Sequence, residues 1–203
     1  MIGRLSGILI QKAPPFLLLD VQGVGYEVQA PMSTFYQLPE LNQPAVLLTH
    51  LVVREDAQLL YGFYNESERL LFKSLIKVNG VGPKLALAIL SGISVDEFVQ
   101  VVKNDDEVGL IRVPGIGKKT AQRLIIEMKD RLTDWQNNSA TEQTKNTTGA
   151  ENQASEQDII KEATSALIAL GYKPIEASKM ISKIDKHDQT TESLIKYALR
   201  SKV

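Results

Sequence analysis

The sequence predicts a multidomain protein of mixed α and β class: a five-stranded N-terminal β-barrel, a central all-α domain and a C-terminal three-helix bundle. Three observations carry that expectation. Residues 1–64 alternate β-branched and aromatic residues with polar ones between Gly and Pro clusters. Residues 65–135 change to a helical period, and a polar stretch over 136–155 separates them from a second helical segment at 156–203.

Strands are expected near residues 2–11, 16–22, 25–30, 45–54 and 58–64. Five short strands of this kind fit a barrel of the OB type, and a sandwich fragment would show the same pattern. Gly23-Val24-Gly25 reads as a hairpin turn, because a dinucleotide-binding loop would need a helix to follow and a strand follows instead.

From Ser67 the apolar residues fall at helical spacing, with Leu70, Leu71, Leu75, Ile76 and Val78 preceding Gly80, which ends the run. A second helix is expected after Pro83, a third over residues 95–102, and others on both sides of Gly115 running on to Leu132. Beyond Trp135 the chain is rich in Gln, Asn, Ser and Thr with little to bury, so residues 136–155 are expected to form a flexible linker. Helical periodicity returns from Gln157 to Leu170, breaks at Gly171-Tyr172-Lys173-Pro174, and resumes in two short helices.

Composition narrows the function classes. Hydrophobic residues make up 43% and charged residues 23% of the chain, as in ordinary globular proteins, and no apolar run approaches the roughly 18 residues of a membrane span. The first residues lack the build of a secretory signal, so a cytoplasmic location is expected. Having no Cys excludes a disulfide framework and thiolate zinc sites. Net charge is -1, and residues 65–135 hold 11 Lys and Arg against 10 Asp and Glu, so any affinity for nucleic acid must come from placement of charge rather than its total.

Placement is informative because the helical domain repeats itself. At an offset of 35, Leu75-Ile76-Lys77-Val78-Asn79-Gly80-Val81-Gly82-Pro83-Lys84 lies over Leu110-Ile111-Arg112-Val113-Pro114-Gly115-Ile116-Gly117-Lys118-Lys119. Ala86, Ile89 and Leu90 match Ala121, Leu124 and Ile125 in the same register. Each copy reads helix, Gly-apolar-Gly, helix. Glycine permits the backbone angles of a tight hairpin and a close approach of its amides to a ligand, while the central Val81 or Ile116 packs inward. The unpaired N–H groups and positive dipole end of the following helix suit a phosphate. Pro83 gives up an N–H the helix does not use, and Lys84, Lys118 and Lys119 add positive charge at the same ends.

These repeats resemble the helix-hairpin-helix family, whose members grip DNA backbones without reading bases. A purely structural αα-turn is the competing interpretation, and two copies in register, both followed by Lys, favour the phosphate. The resemblance implies contacts from Gly80, Val81, Gly82, Lys84, Gly115, Ile116, Gly117, Lys118, Lys119, Thr120 and Arg123. A Rossmann fingerprint fails because Thr120 stands where a third glycine is required. A P-loop fails because Arg112 occupies the place of its first glycine, so no nucleotide-binding motif is present.

The order of barrel, tandem hairpins, polar linker and small bundle is similar to the RuvA family of Holliday-junction-binding proteins along the whole chain. Individual stretches match it too: Met1-Ile2-Gly3-Arg4-Leu5, Gly23-Val24-Gly25-Tyr26-Glu27-Val28, Arg54-Glu55-Asp56-Ala57, Leu60-Tyr61-Gly62-Phe63, both hairpins, and Ala169-Leu170-Gly171-Tyr172. The resemblance implies a homotetramer, one or two per junction, that holds a four-way DNA junction open and planar in recombination, repair and the SOS response to DNA damage. It implies the RuvB ATPase and the RuvC resolvase as partners, no cofactor, and no catalysis by this chain. Glu55 and Asp56 match the family's acidic pin, whose charge repels phosphates near the crossover. Taken alone, the same pair reads as a solvated turn.

An enzyme finds little support. His50 falls in an expected strand and His187 in a Lys- and Asp-rich turn, neither with metal ligands or a nucleophile at motif spacing. Glu55-Asp56 as a nuclease metal pair lacks further converging carboxylates, and Asp105-Asp106-Glu107 reads better as charge at a helix N-terminus. The C-terminal segment is similar to a ubiquitin-associated three-helix fold. Most of its apolar residues must make its small core, and the RuvA resemblance assigns Leu167, Leu170 and Tyr172 to contact with the motor partner.

Overall fold

The computed structural model describes residues 1–142, 156–182, 184 and 190–200. They fall into two compact units, Met1–Gln136 and Asn137–Val203. In the first, β1 (Arg4–Ala13), β2 (Phe16–Val21), β3 (Val24–Gln29), β4 (Pro44–Val53) and β5 (Gln58–Phe63) close a barrel in the order β1-β2-β3-β5-β4. Closure selects the barrel over the sandwich fragment. Neighbouring strands pair antiparallel except β3 and β5, which meet in parallel at Gln29 and Tyr61. The expected turn at Gly23-Val24-Gly25 sits one step earlier: Val21 pairs with Val24, and Gln22 and Gly23 form the two-residue loop with φ of 55° and 88°. Positive φ at both loop residues matches the twist a tight hairpin needs.

The hairpin of β4 and β5 works on both faces, as the two-residue period of a strand requires. Leu47, Leu51 and Leu60 point into the barrel with Leu5, Leu9, Leu17, Leu19 and Val28. Val52, Leu59, Tyr61 and Phe63 point the other way, into the core of the helices. There the Phe72 ring lies 4.9 Å from both Tyr61 and Phe63 and 5.9 Å from His50. The division expected between residues 64 and 65 is therefore not a break in packing.

A helix absent from the sequence-based expectation strengthens this join. α1 (Met32–Gln37) follows Pro31 between β3 and β4. Its Met32 N–H donates to Ser91 Oγ at 3.0 Å, and its buried Thr34 hydroxyl donates to the Glu68 carboxylate at 3.1 Å. That same hydroxyl oxygen accepts the N–H of Tyr64 at 3.1 Å.

The helical part contains α2 (Glu66–Leu75), α3 (Pro83–Gly92), α4 (Val95–Lys103), α5 (Glu107–Ile111) and α6 (Lys118–Glu142). Side chains of Asn65, Ser94 and Asp106 accept backbone N–H groups and so start α2, α4 and α5. α6 passes Trp135 and continues to Glu142, inside the stretch expected to be linker. Its polar residues include no Gly or Pro, so nothing local stops the helix. Residues 143–155 of that stretch, and His187, lie outside the described residues.

The second unit holds α7 (Glu156–Ala169), α8 (Pro174–Ser182) and α9 (Thr191–Arg200) around Ala163, Leu167, Ala177, Ile181, Leu194 and Ala198. α7 ends at Gly171, φ 98°, where the N–H of Tyr172 donates to the Leu167 carbonyl and that of Gly171 to the Ile168 carbonyl. This is the Schellman arrangement, and Pro174 then opens the next helix.

Candidate nucleic-acid interface

The 35-residue repeat of the sequence is also a repeat of hydrogen bonds. Val78 N–H donates to Leu75, Val81 to Val78 and Ala86 to Gly82; displaced by 35, Val113 donates to Leu110, Ile116 to Val113 and Ala121 to Gly117. All six lie between 2.9 and 3.1 Å. Gly80 and Gly115 take φ of 87° and 92°, the left-handed region that a side chain would strain. Both hairpins bury their central residue, so Val81 and Ile116 hold each turn against the core.

Two of the expected phosphate contacts are thereby corrected. Val81 and Ile116 have buried side chains and spend their N–H groups inside the turn, so neither offers a donor to a ligand. The free donors come next in the chain. Among the described residues, the amides of Gly82, Lys84 and Leu85, and of Gly117, Lys118, Lys119 and Thr120, have no partner within the chain. Leu85 was not among the expected contacts, although the repeat points to it, since it stands 35 residues before Thr120. A Cβ added to Gly82 or Gly117 would meet nothing within 4 Å, so the space over these amides is open. Lys84, Lys118 and Lys119 are exposed at the starts of α3 and α6 and make no ion pair among the described residues. Each hairpin thus presents uncapped amides, a positive helix end and free ammonium groups at one place, a combination suited to a phosphate oxygen.

Arg123 has a different position from the lysines. Its Nη1 crosses to the first hairpin and donates to the Asn79 carbonyl at 3.3 Å. Two turns further along α6, Arg131 Nη2 donates to the Lys77 carbonyl at 3.4 Å. The second hairpin's helix therefore braces the loop of the first.

Glu55 and Asp56 lie at the tip of the β4–β5 hairpin, where the Arg54 N–H donates to the Ala57 carbonyl at 2.8 Å and closes the loop. Both carboxylates are exposed, and neither takes part in an ion pair among the described residues. The same described residues contain no group of three or more His, Asp or Glu side chains fit to hold a metal ion. No single helix among them is long and apolar enough to cross a membrane.

Comparison with known proteins gives this geometry its context. The model of the RuvA N terminal domain matches residues 1–62, that of the SAM-like helix-hairpin-helix tandem matches residues 72–130, and that of the RuvA C-terminal domain matches residues 158–201. The Holliday junction branch migration complex subunit RuvA of Yersinia pseudotuberculosis serotype O:1b (strain IP 31758) is 57% identical over 207 aligned residues, covering 99% of both chains. The chain belongs to the RuvA family. Proteins of the same name from Aliivibrio fischeri (strain ATCC 700601 / ES114) and Escherichia coli O1:K1 / APEC are 55% and 56% identical, covering 100% and 99% of both chains.

The RuvA C-terminal domain match falls on the bundle, where one expected contact needs correction. Leu167 is fully buried in the bundle core, so it supports the fold and offers no surface to a partner. Leu170 is 62% exposed and Tyr172 half-buried, and among the described residues of the bundle the most exposed large apolar side chain is Ile175, at 78%. Ile175 sits just past the Schellman turn, on the first turn of α8.

Proposed function

We propose that this RuvA-family chain binds four-way DNA junctions through paired phosphate clamps and acts as the non-catalytic DNA-binding subunit of a branch migration complex. The observation that carries this is the duplicated hairpin, whose two sets of open amides and unpaired lysines follow the same backbone pattern. Each set grips one backbone phosphate and ignores base identity. Four copies in a homotetramer would hold the arms of a junction open and nearly planar, with Glu55 and Asp56 of each copy gathered near the crossover. Their charge repels phosphates at the centre and keeps separated strands apart.

The bundle supplies the link to the motor. Leu170, Ile175 and Tyr172 form the apolar surface through which the RuvB ATPase is recruited, and the RuvC resolvase engages the same open junction. A polar segment between the clamp unit and the bundle lets recruitment occur at a distance set by chain reach.

The test is a set of binding isotherms for a synthetic four-way junction, a linear duplex and a single strand at several salt concentrations, with particle mass measured on the bound species. Preference for the junction, independence of base sequence and a tetramer on the DNA are the expected results. Equal affinity for junction and duplex would contradict the proposal.

A further inference from the structure

Beyond the hairpins, α2 and the turn that follows it concentrate positive charge. Arg69 and Lys73, four residues apart, share one side of the helix through its turn of about 5.4 Å, and Lys77 follows in the turn just past the end of α2 at Leu75; the charges of all three act on His50. Arg69 shows where that side faces: its Nη1 donates to the Gly3 carbonyl at 2.7 Å and to the Thr49 carbonyl at 3.4 Å, both on the barrel. Phe72, beside Lys73, sets its ring edge against His50, the next residue of β4. The Arg69 charge is matched by Glu66 at 2.7 Å. Lys73 and Lys77 have no such partner among the described residues.

The surroundings increase the imbalance. Arg131 reaches the Lys77 carbonyl and, among the described residues, is offset by Glu127 at 3.6 Å. Burial, and after it the charges of Lys73, Arg69 and Lys77, hold the His50 imidazole below its usual pKa, with no carboxylate acting in the other direction. Lys73 is half-buried and Lys77 exposed. A field of one sign on a surface raises the local concentration of the opposite ion.

The location is specific. Lys77 stands three residues before Gly80 of the first hairpin, and His50 lies on the strand that leads to Glu55 and Asp56. We propose that Lys73 and Lys77, with Arg131 beside them, form a third phosphate site that receives the DNA strand as it passes from the first hairpin towards the acidic β4–β5 loop. This inference rests on the junction-binding function proposed above. It assigns the strand a path between an attractive clamp and a repulsive tip, which a duplex running straight across the hairpins has no need to follow.

The experiment is a fluorescence anisotropy titration of the full chain with a four-way junction and a linear duplex over a salt series. The variants are K73Q/K77Q, K73R/K77R and K118Q/K119Q. K73Q/K77Q is expected to flatten the slope of log affinity against log salt by about two units on the junction and by less than about one on the duplex. K73R/K77R keeps the charge and is expected to keep the slope. An unchanged junction slope, an equal change on both DNAs, or a K73R/K77R chain as defective as the glutamine variant would overturn the third site. K118Q/K119Q separates the two levels: if it flattens both slopes while K73Q/K77Q flattens neither, the third site alone is wrong. If K118Q/K119Q also changes nothing, hairpin clamping fails and the third site falls with it.

Discussion

The buried Thr34 hydroxyl stands between the Glu68 carboxylate, to which it donates at 3.1 Å, and the Tyr64 N–H, from which it accepts at 3.1 Å. One oxygen thus ties α1, the end of β5 and α2 together at the join between barrel and helices. Replacing Thr34 with Val keeps the shape and removes both bonds, leaving the partly buried Tyr64 N–H and the buried Glu68 carboxylate short of a partner. The expected cost is about 1–3 kcal/mol for each group left unsatisfied, read as a lower urea midpoint with little change in slope. An unchanged midpoint would show that the join is held by the Phe72 cluster alone.

His50 makes the stability of that join depend on pH. Burial and the neighbouring Lys73, Arg69 and Lys77 lower its pKa from 6.5 in the folded chain. As pH falls below 6.5 the unfolded chain takes up the proton first, so stability present above that value is progressively lost as pH drops through the folded pKa. Thermal midpoints measured from about pH 8 to about pH 5 should fall on the acid side, and less steeply in His50→Gln, which carries no titrating ring. Identical pH profiles for the two chains would remove His50 from the account.

Glycines of the two hairpins divide into two kinds, and substitution separates them. Gly80 and Gly115 sit at positive φ, so Ala at either site strains the turn and should lower stability by about 1 kcal/mol or more. Gly82 is at φ -86° with open space where a Cβ would go, so Gly82→Ala should leave the fold nearly unchanged and still weaken DNA binding by obstructing the amides. Unfolding midpoints and junction affinities for the three variants check the division. A Gly82→Ala chain that binds as tightly as the original would place the phosphate elsewhere.

Much of this was legible from residue pattern. The five strands announced themselves through alternation, and the hairpins through a repeat whose apolar positions, from Leu75 and Leu110 to Leu90 and Ile125, are buried in both copies except at Ile76 and Ile111. α1 was not legible: six residues after Pro31 are too few to show a helical period, and its role depends on Thr34 meeting Glu68, 34 residues away. The inward turn of Val81 and Ile116 was readable from their apolar character, but the loss of their amides to the turn was not, because it depends on backbone geometry. Leu167 was mistaken for surface since periodicity marks an apolar face without saying how much of it the bundle's own helices cover.

The bundle should be separable from DNA binding. Removing residues 156–203 is expected to leave junction affinity near that of the full chain and to abolish stimulation of the partner ATPase, while Ile175→Ser should weaken stimulation without unfolding the bundle, given its 78% exposure. Junction affinities and ATPase rates in the presence of the motor subunit decide this. Loss of junction binding on truncation would assign the bundle to the DNA site.

Glu55 and Asp56 bear most directly on the central claim, that phosphates are attracted at two hairpins and repelled at a third place, since exposed carboxylates oppose DNA affinity in general. The decisive measurement is a pair of isotherms, four-way junction and linear duplex, for the original chain and for E55Q/D56N at two salt concentrations. Neutralisation keeps size and hydrogen-bonding capacity, so duplex affinity should rise more than junction affinity, and the gain should shrink as salt shortens the screening length from about 10 Å at 0.1 M. Equal gains on both DNAs, or no change on either, would show that the pair is an ordinary solvated turn and that junction selection does not arise from repulsion at the β4–β5 tip.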